Sequence, residues 1–461
     1  MNYLFSGWQI PAKNLKEFEE LQNDLSGHTD CEKLEFGDFS ILSFNGINHE
    51  KGIVNVTIFN SSSPFERREA LTESSGIALQ AVKKLKDAVA SHDKIRYDDL
   101  EKNLSVIEKV LQSTERIPSF NRQFISLKSM ESSGITEETF LKLTKDVKFA
   151  LYKEATGEVL FVSPMAWNTL VQRLSVGKDV SNANNVIRDL YLASRMKTTD
   201  SANFIIRRDG KTRVLVAAPS TRNGYFPQTE IQKIYGEIAR TANIRYSYGY
   251  VGAADSVVGF DFPDEEKYIR EKYGIDVVPG IEFRISDTCS TGIYVSQYYK
   301  VNGVRIYSPN CAHKEHRGKF TYEDVLAEMK RCRTMDFTEF PALLAKCGKI
   351  VITPPDADLT TEIGQSRNRN AVETAYMKCA SAVDLKKSIG MRREEIIKEQ
   401  IQSMDPGKQV TALDIVSGMM QIPEKIEDLA TGKRLHPDLE RALRKQLYSA
   451  VQYFSLNAAG T

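Results

Sequence analysis

Tyrosines and cations alternate in two stretches of this chain, a spacing that suits contact with a ligand carrying both rings and negative charge. Residues 293–307 read Ile-Tyr-Val-Ser-Gln-Tyr-Tyr-Lys-Val-Asn-Gly-Val-Arg-Ile-Tyr. Asn302-Gly303 between β-rich runs predicts a two-residue hairpin loop. That loop sets Val301 opposite Val304, Lys300 opposite Arg305, Tyr299 opposite Ile306 and Tyr298 opposite Tyr307. Alternation gathers Tyr294, Ser296, Tyr298, Lys300, Arg305 and Tyr307 on one face and leaves Ile293, Val295, Tyr299, Val301, Val304 and Ile306 for the core. Two cations directly opposed across strands repel by a few tenths of a kcal/mol or more unless an anion lies between them. A phosphate would serve.

Residues 244–250 add Tyr246, Tyr248 and Tyr250 on one face of an expected strand. The preceding segment supplies Arg207, Arg208, Lys211, Arg213, Arg222 and Arg240. Base stacking on such rings is worth roughly 1–3 kcal/mol per base, while cations follow the backbone. The combination suits an unpaired strand better than a duplex. The competing explanation is that tyrosine is a good strand former and that antiparallel faces often mix it with Lys and Arg.

Other constellations point less far. Cys311-Ala-His313-Lys-Glu-His316 is dense in soft ligands, with Cys289 and Cys332 near in sequence, but no spacing supplies the fourth ligand of a tetrahedral zinc site. We expect no metal there and no cofactor. The acidic cluster Asp255, Asp261, Asp264, Glu265 and Glu266 could hold a divalent ion, but the run before Lys267 reads better as the acidic first turn of a helix. Asp356 followed by Asp384-Leu-Lys386 has the residue types of a metal-dependent nuclease, yet the second part falls in a helical stretch rather than on a strand. No GxSxG, GxxxxGK[ST] or GxGxxG motif occurs, so an α/β-hydrolase, a nucleotide-driven motor and a dinucleotide enzyme are disfavoured. Trp8 and Trp167 read as core or staple residues. We expect no enzyme.

The elements that must position these residues are legible in part. The chain has 461 residues, 41% hydrophobic and 27% charged, with Lys+Arg 62 against Asp+Glu 61. Such balance fits an ordinary globular chain of two or three domains and names no partner by charge alone. Local balance swings more: residues 201–250 hold eight basic residues against three acidic, and 251–300 five against nine. No run of about 18 apolar residues occurs, and residues 1–11 lack a secretion signal. The expectation is a soluble, cytoplasmic protein whose six cysteines are reduced thiols.

The pattern is α+β, with an antiparallel sheet and two hairpins in the centre, flanking helices and a mostly helical C-terminal region. We expect three regions, 1–117, 118–320 and 321–461, with the first boundary marked by Pro118. Helices are expected at 75–89, 98–111, 137–152, 164–174, 184–195 and 437–454, and near the start on Leu15, Phe18, Leu21 and Leu25. Strands are expected at 41–44 and 52–59. Asp209-Gly210 predicts the other hairpin, within 204–216.

The stretch Val278-Pro-Gly-Ile-Glu-Phe-Arg-Ile-Ser286-Asp287, then Gly292-Ile-Tyr-Val, Val304-Arg305-Ile-Tyr-Ser-Pro-Asn310 and His316-Arg-Gly318, resembles the core of an uncharacterised phage- and plasmid-associated protein family. The similarity spans about residues 115–455 through short motifs. It makes Ser286, Asp287, Gly292, Arg305, Asn310 and His316 family-like positions. This chain departs from the pattern at Ser308, where the family has a cysteine, and in a short loop before His316. The resemblance implies a setting, mobile elements inside a bacterial cell, but no activity. The function expected first is non-enzymatic single-strand binding or annealing by a homo-oligomer. The alternatives are a self-assembling viral protein, in the virion or the cell, and a metal-dependent nuclease.

Overall fold

The computed structural model describes residues 9–50, 52–59, 121–126, 136–145, 147, 149–153, 155–176, six positions between 188 and 196, 199–223, 225–288, 292–314, 323–327, 336–385, 393–422 and 437–457. The fold is α+β. The first half runs β1 (Gln9–Ala12), α1 (Leu15–Gly27), β2 (Thr29–Leu34), β3 (Ser40–Asn48), β4 (Ile53–Phe59), β5 (Asn121–Ser126), α2 (Glu137–Thr144), β6 (Phe149–Lys153), β7 (Glu158–Val162), α3 (Pro164–Arg173), β8 (Ala202–Asp209) and β9 (Thr212–Ala217). The second half runs α4 (Glu230–Ala239), β10 (Arg245–Gly252), β11 (Ser256–Asp261), α5 (Pro263–Tyr273), β12 (Val278–Ile285), β13 (Ile293–Val301) and β14 (Val304–Lys314). The helices α6 (Glu339–Cys347), α7 (Glu362–Ala382), α8 (Arg393–Ser403), α9 (Ala412–Met420) and α10 (Pro437–Asn457) follow.

The strands form two sheets. The first, in the order β1-β10-β11-β12-β13-β14, is antiparallel throughout. The second has the order β2-β8-β9-β7-β6-β3-β4-β5, with β7 and β9 its parallel pair. Pairing therefore crosses the boundary expected near Pro118, because β3 joins β6 and β4 joins β5. The boundary expected at 320 does not divide the core either. Val295, Tyr299, Val301, Val304 and Ile306 of the first sheet share one apolar cluster with Phe340, Leu344, Leu443, Leu447, Tyr448 and Val451 of the C-terminal helices.

Local chemistry marks where several helices start. Asn14 caps α1 by accepting from the Glu17 N–H, and Phe18 and Leu25 bury its apolar stripe. Ser163 caps α3 from just before Pro164, and Thr411 with Asp414 forms a capping box on α9. The helix expected over 137–152 stops at Thr144, and β6 follows. There tertiary context overrides local pattern: Leu151 and Ala150 pair on both sides, with β7 and β3, and are fully buried. The expected helices at 75–89 and 98–111 lie outside the described residues, and that at 184–195 is described only in pieces.

Both hairpins form. Asn302 and Gly303 take φ of 51° and 83°, as the two positions of this tight loop demand, and the register matches the sequence expectation at all four pairs. In the other, Asp209 pairs Thr212, so the loop residues are Gly210, at φ 58°, and Lys211. Among the described residues no helix is long and apolar enough to cross a membrane.

A buried polar joint ties the sheets together. Arg207 on β8 is fully buried and reaches from the second sheet into the first. It donates to both Asp287 carboxylate oxygens at 3.0 and 3.1 Å and to the Ala253 carbonyl at 2.6 Å. Gln228 donates to Asp287 at 3.0 Å and accepts from Ser256. Ser286 donates to the Ala254 carbonyl at 2.6 Å.

Candidate nucleic-acid interface

The first sheet has one apolar face and one polar face, and pairing arranges the polar face in rows. Tyr250, Val257, Arg284 and Tyr294 form one row; Tyr248, Gly259, Glu282 and Ser296 the next; then Asp261, Gly280, Tyr298 and Tyr307; then Lys300 and Arg305. The two glycines have a steric reason. A Cβ on Gly259 would lie 2.3 Å from the Tyr248 ring, and one on Gly280 2.3 Å from that of Tyr298, so each ring covers a glycine.

Guanidinium groups then cover the rings. Arg305 lies 3.7 Å from the centroid of Tyr248, and Arg441 of α10 lies 3.9 Å from that of Tyr294. Such contacts are worth about 0.5–2 kcal/mol. Arg441 also donates to Ser296, while Arg444 donates to the Arg305 carbonyl at 2.9 Å and so covers the outer edge of β14.

Beneath this layer lie two carboxylates. Glu282 is 1% exposed and accepts from Tyr248 at 2.6 Å and from Tyr307, with Arg305 3.8 Å from the same oxygen. Asp261 is 3% exposed and accepts from Tyr298 at 2.7 Å, from Lys300 at 2.8 Å and from Arg245 at 3.4 Å. Lys300 and Arg305 do stand opposed, and the anion that relieves them is internal. Burial pushes the Tyr248 and Tyr298 hydroxyls well above the ordinary phenol value, with Arg305 pulling the other way, so both stay protonated donors. Asp255 completes the buried set, accepting from Gln9 at 2.6 Å with Arg284 at 3.8 Å.

The twelve residues expected to form one binding surface are thus divided. Arg207, Arg208, Lys211 and Arg213 belong to the other sheet. Arg207 is locked in the joint, Arg208 pairs with Asp30 and Glu32, and Arg213 pairs with Glu32 and Glu158; Lys211 is exposed at the hairpin tip. Tyr246 is on the wrong face. A bulge between it and Tyr248 breaks the alternation, and its ring packs on Phe260 while its hydroxyl donates to the Ala12 carbonyl at 2.7 Å. Tyr298 and Tyr307 are on the expected face but buried, each bonded to a carboxylate. Tyr248, Tyr250, Tyr294, Lys300 and Arg305 remain on one face, each half-buried.

Of the family-like positions, Ser286 and Asp287 lie in the inter-sheet joint and Gly292 leads into β13. Asn310, Cys311 and His313 lie on β14, but their side chains fall outside the described part of the structure, as does His316 altogether. Asp356 is exposed and bonded to Arg367 at 2.7 Å, and Asp384 follows the end of α7 with φ 57°. Among the described residues no group of three or more His, Cys, Asp or Glu is placed to hold a metal ion. Reasoning from sequence missed Glu282 and Arg441, and read Asp261 only as a member of an acidic cluster. Glycines 259 and 280 inside strand-like runs were the available signal that something packs closely there.

No protein-family model, no curated protein and no solved structure matches the chain.

Proposed function

We propose that the chain handles unpaired nucleic acid without catalysing a reaction on it, by contact at the half-buried part of the polar sheet face. The observation that carries this reading is the guanidinium of Arg305 held 3.7 Å from the Tyr248 ring centroid, on the face that also carries Tyr250, Tyr294 and the 24%-exposed side chain of Lys300. A guanidinium held on a ring offers a fixed plane for stacking by a base and fixed donors for a phosphate. In the phage- or plasmid-associated setting suggested by the sequence, this would be strand binding or annealing inside the bacterial cell by a homo-oligomer.

The test is fluorescence anisotropy of a labelled 20-nucleotide single strand, with its duplex as control. The single strand should bind more tightly. Arg305→Ala and Lys300→Ala should each weaken binding about three- to tenfold and flatten its salt dependence by about 0.7 in log–log slope for each phosphate no longer neutralised. Binding indifferent to both substitutions contradicts the reading. One observation favours the second reading, self-assembly: Arg284, Lys300 and Arg305 on this face each have a carboxylate partner, as charges at a protein interface do. Light scattering at high protein concentration without nucleic acid tests the second reading, since a strict monomer argues against self-assembly.

A further inference from the structure

Lys300 and Arg305 are already neutralised from within. Asp261 takes Lys300 at 2.8 Å, and Glu282 stands 3.8 Å from Arg305, both carboxylates being almost fully buried. Both are held in place by tyrosine hydroxyls rather than by the cations alone, since Tyr298 bonds Asp261 while Tyr248 and Tyr307 bond Glu282. If a cation turned outward, its carboxylate would therefore stay anchored, still buried and still charged. We propose that Asp261 and Glu282 are built-in competitors for a phosphodiester ligand, holding Lys300 and Arg305 inward and setting the affinity of this face low. The inference rests on the nucleic-acid reading above and assigns that site its regulation.

Leaving Glu282 without Arg305, or Asp261 with only the more distant Arg245 at 3.4 Å, opposes the outward turn, so a polyanion must supply that free energy through several phosphates at once. A single nucleotide should bind poorly and a long strand well. That would favour continuous unpaired strands over isolated nucleotides.

The experiment uses the full chain and a labelled 20-nucleotide oligothymidylate at low and high salt. Glu282→Gln removes a charge while keeping an acceptor for Tyr248 and Tyr307; Asp261→Asn does the same beside Lys300 and serves if the first variant fails to fold by circular dichroism. Each should bind about three- to tenfold more tightly than the wild type, with a steeper salt dependence. Wild-type binding with unchanged or weaker affinity in the folded variants overturns this inference and leaves the nucleic-acid reading standing. No binding by any of the proteins overturns both.

Discussion

Replacing Arg207 with methionine should lower the stability of the protein by about 3–5 kcal/mol, because it leaves the Asp287 carboxylate buried without its cation. The guanidinium makes both bonds to Asp287 and one to the Ala253 carbonyl inside a joint from which water is excluded, and methionine keeps the bulk but none of the donors. Urea unfolding followed by tyrosine fluorescence measures the loss. Adding Asp287→Leu should restore part of it, since the second change removes the stranded charge. A loss below about 1 kcal/mol for Arg207→Met would mean that the joint is not what ties the sheets together.

Gly280→Ala should cost about 3 kcal/mol, at the upper end of overpacking substitutions. The new methyl would stand 2.3 Å from the Tyr298 ring and 2.6 Å from the Phe260 carbonyl, and the second is backbone that cannot step aside. Displacing the ring breaks its 2.7 Å bond to Asp261, so the polar face loses its order along with its packing. Gly236→Ala is the control. That glycine is inside α4 with nothing within 4 Å of an added Cβ, and the substitution should be neutral or stabilising by up to about 1 kcal/mol. Thermal melts of the two variants should therefore diverge, and equal melts would contradict the ring-over-glycine packing.

What could be read from the sequence was what neighbours along the chain decide. Asn302-Gly303 fixed a hairpin register that reaches from Val301 back to Tyr298, because both loop residues must take positive φ. The stripe of Phe18 and Leu25 marked α1 in the same local way. Partners distant in sequence were not readable: Lys300 meets Asp261, 39 residues away, and Arg207 meets Asp287, 80 residues away. The opposed cations correctly signalled an anion, but nothing local distinguished an internal carboxylate from a ligand phosphate. A single bulge before Tyr248 was enough to turn Tyr246 to the opposite face, since a period of two has no tolerance for an extra residue. Arg207 sits among Phe204, Ile205 and Ile206, and a cation within so apolar a run was the one early sign that it is buried.

The layered face of the six-stranded sheet is the centre of the account, and photocrosslinking tests it most directly. The full chain would be irradiated with a single-stranded oligonucleotide and the adducts located by mass spectrometry. Adducts should fall on β10 and β13, at Tyr250 and Tyr294 on the face that carries Arg305, and should fade as salt rises. Adducts confined to the Arg208–Arg213 hairpin of the other sheet, or none at any salt, would contradict it.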